Sequence, residues 1–335
     1  MEKIKTILKR LCSLCTVSGR EKMCKNELFD IAGAYFDTSY EDSFGNLVLV
    51  KKSSKENAPR LLIDAHFDEV GFMVSKVHEN GFLSIAPIGG VDTRVLGATS
   101  VVVYSSEQAQ GLLTSTPPHL LKGESLPKME NIYVDMLGSK ASVEVGDIVG
   151  YAPHFTELCE NKISAKSLDD KACVCAIIDM ASKVDKDKLE YDLYVVISAQ
   201  EETGKSGARF ISYDIEPDIA IVTDVFFASG EGIDKCDSID MGCGAYVDFS
   251  AVTDRALSSK IAQMTDENGK KCQIVCEPSR THTNAEAISI SGRGVRVALL
   301  GVAIDGMHTP SEIVALDDIK SLSDILLKIA YTEKL

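Results

Sequence analysis

The chain has 335 residues, 45% of them hydrophobic and 25% charged, and its 35 basic and 50 acidic side chains give a formal charge of −15. That is ordinary globular composition, long enough for about two domains, and its negative balance makes phosphate backbones and anionic lipid poor partners. No stretch approaches the roughly 20 apolar residues of a membrane helix, so neither nucleic acid nor membrane is an expected partner.

The first residues run straight into an amphipathic pattern. Ile4, Ile7, Leu8, Leu11, Leu14 and Cys15 recur at steps of three and four, without the apolar block of a signal peptide. With no export signal, the ten cysteines are expected as reduced thiols in a cytoplasmic protein. Cys12 and Cys15 fall inside the helical pattern, so they read as buried small hydrophobes rather than as a redox or zinc pair. Ser18 followed by Glu21 has capping-box spacing and predicts a second helix to about Ala34. Strands are expected over 47–50 and 60–64, the second ending at His66 and Asp68. Asn80-Gly81 between the apolar runs 71–74 and 82–85 marks a hairpin.

From there to about Lys162 the chain shows short β runs, glycines and prolines, the pattern of a small all-β unit. After about Ser164, helical patterns over 171–183, 207–213, 255–268 and 319–329 return. They alternate with apolar strands over 194–198 and 219–222. The expectation is an α/β fold with a mostly parallel, helix-covered sheet. It would be formed by residues 1–72 and 164–335 and interrupted by a smaller β-rich unit over 73–163.

In an open α/β sheet, ligands gather at the carboxyl ends of the strands. The polar residues at those ends or opening the next helix are His66 and Asp68, Asp169-Asp170, Glu201-Glu202, Asp224 and His308. Singly, each has a plain structural reading, since an Asp before a helix is usually a cap and a Glu-Glu on a loop is usually solvated. Together they form a mixed nitrogen and oxygen donor set, which suits zinc, cobalt or manganese better than calcium.

Residues 66–71 (HFDEVG), 168–171 (LDDK), 200–204 (QEETG), 223–225 (TDV) and 307–310 (MHTP), with 117–120 (PPHL), resemble in order the M42 family of dinuclear metallo-aminopeptidases. The resemblance covers nearly the whole chain. It implies that Asp169 bridges two divalent metal ions, with His66 and Asp224 completing one site and Glu202 and His308 the other. Glu201 would be the general base, and Asp68 a carboxylate orienting the His66 imidazole. A bridging carboxylate suits the ~3.5–4 Å separation of two-metal hydrolases. The resemblance also implies an aminopeptidase acting on short peptides, a PDZ-like insertion making dimer contacts, and a homo-oligomer of dimers that can reach a dodecamer.

The chain departs from the family pattern at Lys171, where Arg is usual, and at Ala172 and Cys173, where small glycines are. At 282–285 (HTNA) relatives commonly carry Gly-Thr-Asp-Ala. The change to Asn284 removes a carboxylate expected near the substrate cavity, and His282 is read as a surface residue or a substrate contact. His78, His119 and His154 are read as structural or interfacial. Three other functions compete: a carboxypeptidase or N-acyl deacylase on the same centre, a glycoside hydrolase, and a non-catalytic scaffold. A glycosidase would leave the histidines superfluous, and the chain has no Trp and only 6% aromatics. A scaffold would not need every ligand and the base intact.

Overall fold

The structure is a computed structural model that describes residues 1–117 and 127–335. Pro118, His119 and Leu120 of the motif named above lie outside the described residues. The first helix, α1 (Glu2–Cys12), buries the apolar face its spacing predicts, and Cys12 and Cys15 are both buried and unpaired. The second, α2 (Lys25–Ala32), is flanked by 3₁₀ turns at Glu21–Cys24 and Gly33–Tyr35. The expected capping box does not form. Ser18 Oγ lies 2.8 Å from Thr203 Oγ1, and Glu21 accepts hydrogen bonds from the N–H groups of Gly19 and Gln200, at 2.9 and 3.0 Å. The pair therefore ties the N-terminal segment to the 199–204 loop.

Strands β1 (Thr38–Glu41), β2 (Leu47–Lys51) and β3 (Arg60–His66) follow. The chain then makes a closed barrel of β4 (Gly71–Val77), β5 (Phe82–Ile88), β6 (Ser100–Tyr104), β7 (Gln108–Ser115), β8 (Ile132–Asp135) and β9 (Ile148–Tyr151). The predicted hairpin joins β4 to β5, with Gly81 at φ 86° supplying the left-handed residue of the turn. Phe72, Leu83, Val101, Leu113, Val134 and Val149 fill the barrel interior.

After the barrel come β10 (Phe155–Glu157), β11 (Lys162–Ala165), α3 (Leu168–Ala181), β12 (Asp192–Ser198), α4 (Ser206–Ile215), β13 (Ile219–Phe227) and β14 (Tyr246–Ser250). The chain ends with α5 (Arg255–Ile261), β15 (Gln273–Glu277), α6 (Asn284–Ser289), β16 (Arg296–Asp305), β17 (Glu312–Ala315) and α7 (Leu316–Ala330). The large sheet has the order β1-β2-β12-β3-β13-β16-β17-β11-β10, with β14 and β15 branching from β16. Side chains of α1, α2, α3, α5 and α7 bury against one face and those of α4 and α6 against the other.

Three expectations need correction. The sheet is mixed: β12, β3, β13 and β16 are parallel, but β1, β2, β17, β11 and β10 add antiparallel flanks. The barrel spans Gly71 to Tyr151, while β10 and β11 pair along the large sheet beside β17. The expected limits of 73 and 163 therefore fall inside strands. A short strand carries no mark of which sheet it will join. The helix expected over 255–268 stops at Ile261, because Asp266 accepts from the N–H groups of Asn268 and Lys270 and closes a turn instead. Among the described residues no helix is long and apolar enough to cross a membrane.

Candidate active site

The four parallel strands deliver the expected residues to one place. His66 is the last residue of β3, Glu201 and Glu202 follow β12, Asp169 opens α3, and His308 lies between β16 and β17. Asp224 sits within β13 rather than at its end, directly across from Gly301 of β16. That crossing requires glycine, since a Cβ at 301 would stand 1.5 Å from the Asp224 carbonyl oxygen.

Asp169 is the hub. Its Oδ1 lies 2.9 Å from His66 Nε2, and its Oδ2 lies 3.3 Å from His308 Nε2. Glu202 Oε1 is 3.2 Å from the same His308 nitrogen, and Asp224 Oδ1 is 3.9 Å from His66 Nε2. The donor atoms of His66, Asp169 and Asp224 lie within 4.8 Å of one another, and so do those of Asp169, Glu202 and His308. The two trios share Asp169.

The far nitrogen of each ring settles what the near one can do. Nδ1 of His66 is 3.0 Å from the Asp68 carbonyl oxygen, and Nδ1 of His308 is 2.9 Å from the Gly90 carbonyl oxygen. A carbonyl only accepts, so each Nδ1 carries a proton and each Nε2 faces the carboxylates. A positive charge is needed between Nε2 and those oxygens, either a proton on each ring or a cation held by both. A mixed set of two imidazoles and three carboxylates fits two divalent cations.

The electrostatics agree. Burial works against a charged imidazole, yet Asp169 and Asp68 hold His66 well above its usual pKa, and Asp169 and Glu202 push His308 up to about 11. Burial would raise Asp169, but His308 and His66 keep it below the carboxylate range. Burial raises Glu202 and Asp224. The Glu201 carboxyl is raised to about 7, first by burial and then by Asp68 and Glu202, against the pull of His66. Its Oε1 is buried with no hydrogen-bond partner and lies 3.7 Å from Lys205 Nζ.

Asp68 adjoins His66 and has a further task. Its backbone carbonyl meets the imidazole, while its carboxylate oxygen stands 3.6 Å from Nδ1. The carboxylate also accepts the N–H groups of Glu201 and Glu202, at 2.9 and 3.1 Å. A second such clamp has no counterpart in the motifs. Glu312, fully buried at the start of β17, accepts the N–H groups of His308 at 2.8 Å and Asp169 at 3.1 Å. Asn46 Oδ1 and Glu21 hold Ala199 N–H and Gln200 N–H, fixing the loop that carries Glu201. These partners act through the backbone across long stretches of chain. The only sequence signals were a carboxylate four residues after His308 and a Gly-Gly pair at 89–90.

The cluster opens onto a cleft of about 430 Å³, whose lining includes Lys205, Phe226, Phe227, Glu277, Thr281, His282, Thr283 and Met307. His282 is exposed and lines it, but Asn284 does not. Asn284 is buried, and its amide donates to Asp64 Oδ2 and Ser198 Oγ, each at 2.9 Å. The expected loss of a carboxylate from the cavity is therefore a change within the core. Lys171 is fully buried and donates to Ser167 Oγ at 2.8 Å. His78 lies 2.8 Å from Ser84 Oγ on the barrel, and His154 lies 3.5 Å from Ser311 Oγ.

The model of the M42 glutamyl aminopeptidase family matches residues 45–325. The lysyl aminopeptidase of Pyrococcus furiosus is 31% identical over 331 residues, 93% of this chain and 92% of that protein. The solved aminopeptidase APDkam598 of Desulfurococcus kamchatkensis is similar with a TM-score of 0.90 at 26% identity, covering 98% of this chain and 95% of its own. The TET1 peptidase of Pyrococcus horikoshii, described as assembling into a tetrahedron or a large octahedral shell, is similar with a TM-score of 0.86 at 25% identity. That match covers 98% of this chain and all of the other, 100%.

Proposed function

This chain belongs to the M42 glutamyl aminopeptidase family and is an aminopeptidase, and from that premise we propose that it trims short peptides at a centre for two divalent metal ions. His66, Asp169 and Asp224 would hold one ion, and Asp169, Glu202 and His308 the other. Zinc or cobalt suits this donor set best, and manganese next. One observation carries the reading: both imidazoles have Nδ1 tied to a backbone carbonyl and Nε2 turned toward the shared Asp169 carboxylate.

When bound, the ions would lower the pKa of a water and polarise the scissile carbonyl. The chain's own residues supply the rest. Glu201 belongs to neither trio, its Oε1 accepts no hydrogen bond, and burial sets its pKa near neutrality, at about 7. It can take a proton from the attacking water and deliver it to the departing amine. Asp68 locks the backbone of Glu201 and Glu202, so base and ligand keep a fixed spacing. Glu312 does the same for Asp169 and His308, in the manner of outer partners that tune metal affinity.

The barrel is read as an inserted, PDZ-like unit that makes subunit contacts in a homo-oligomer of dimers, a reading supported by the shells described for the Pyrococcus horikoshii relative. All ten cysteines are free thiols, which favours a reducing compartment such as the cytoplasm. The function is tested by following peptide turnover after chelation and after adding back zinc, cobalt or manganese. Activity should vanish and return, with release of the N-terminal residue. Full activity after chelation, or release of a C-terminal residue or an acyl group, contradicts the proposal.

A further inference from the structure

The cleft has a second wall that the chemistry above leaves unused. Phe226 and Phe227 at the end of β13, Glu277 at the end of β15 and His282 line it. Glu277 is half-buried, and among the described residues no cation pairs with it and no hydrogen bond reaches its carboxylate. The charges acting on it are all carboxylates. Burial first, and then Asp248, Glu286 and Asp237, raise its pKa to about 7. Lys205, the lysine of the cleft, is engaged elsewhere, 3.7 Å from Glu201 and 4.0 Å from Glu286.

A half-buried carboxylate without a cation is costly, and a cation brought to it by a ligand relieves that cost. A peptide offers two kinds. Its α-ammonium is bound to the carbon next to the scissile carbonyl, so it must lie among the metal ligands and Glu201. Glu277 belongs to neither donor trio and lines the cleft from the end of β15. The side chain of Lys or Arg carries its charge several bonds further out on an aliphatic stem. Such stems pack along apolar and aromatic surface while the head finds a polar partner. Phe226 and Phe227, the latter 45% exposed, offer that surface.

We propose that Glu277 is a specificity-determining residue that receives the ammonium or guanidinium of a Lys or Arg at the substrate's N-terminal position, with its stem along Phe226 and Phe227. The proposal rests on the aminopeptidase reading and names the substrate class of that same cleft.

The test compares the metal-loaded wild-type enzyme with Glu277→Gln and Glu277→Lys on the p-nitroanilides of Lys, Arg, Leu and Glu. The wild type should favour Lys and Arg. Glu277→Gln should lower kcat/KM for those two by about 10–100-fold, the range for a hydrogen bond to a charged group. Its activity on Leu should stay within roughly threefold, which also shows that the variant is folded. Glu277→Lys should gain activity on the Glu substrate. An equal loss on all four substrates, or a wild type that turns over Leu as well as Lys and Arg, overturns the role of Glu277 while leaving the aminopeptidase reading in place. A wild type idle on every substrate overturns both.

Discussion

Two clusters of buried charge adjoin the start of α3, and they are built in opposite ways. In one, Glu69 accepts from Lys166 Nζ and from Thr16 N–H, each at 2.8 Å, with Lys171 Nζ 3.6 Å away. Burial would raise the Glu69 pKa, but Lys166 and Lys171 prevail and lower it to about 2. In the other cluster, burial pushes Glu201, Glu202 and Asp224 up, one Glu201 oxygen accepts no hydrogen bond, and the group faces a cleft. Burying a charge is unfavourable unless it is paired. A cluster whose charges are completed by the chain itself can only hold the fold together. One that leaves them incomplete is built to be completed from outside, by cations and substrate.

The largest effect that would break the comparison is at the base. Glu201→Gln should lose roughly 10²–10⁴-fold in kcat, the range for general acid–base groups, while elemental analysis finds its metal unchanged. Full activity would place the base elsewhere. The self-paired cluster should behave in the reverse sense. Lys166→Met leaves a buried carboxylate short of its main partner and should cost roughly 3–5 kcal/mol in urea denaturation, without changing how many ions the folded protein binds. Unaltered stability would mean that Lys171 suffices.

How much of this was legible in the sequence divides along the same line. The ligands announced themselves because each follows an apolar run or opens a helix, and those runs mark β3, β12 and β13 of the parallel core. What they could not announce was the backbone clamp at Glu312, since Asp169 is brought to it, and to the nearby His308, only by the packing of α3 against β17. Asp68 was found, but not that its carbonyl would meet the imidazole or that its carboxylate would hold the Glu201 backbone. Asn284 was misplaced because a motif gives no sense of which face of the sheet a helix start will meet. The long central strand β16 is a continuous apolar run, which has no period of its own to distinguish strand from helix.

Glu312→Gln sharpens the comparison at smaller cost. The amide keeps one acceptor and should preserve the fold, while metal affinity drops about 10–100-fold, as for other outer partners of metal ligands. Titration with zinc measures it, and an unchanged affinity would make Glu312 a fold residue only.

The smallest effect is on pH dependence, and its sign differs between the clusters. Glu69 has a folded pKa of about 2 against an ordinary 4.5, so its contribution is present above pH 4.5 and is lost as pH falls toward 2. Glu201 and Glu312, raised chiefly by burial to about 7 and about 8, contribute below pH 4.5 and lose that contribution as pH rises through those values. Urea melts of the chelated protein should therefore weaken between roughly pH 4.5 and pH 8, and bound metal should offset the loss. A chelated protein that grows more stable over that interval would contradict the charge assignment.

The most direct test counts ions. Wild-type protein, stripped and then titrated with zinc, should take up two equivalents per subunit, and Asp169→Asn should fail to hold the pair. Two tight equivalents in Asp169→Asn, or fewer than two in an active wild type, would contradict an Asp169 carboxylate shared between two cations.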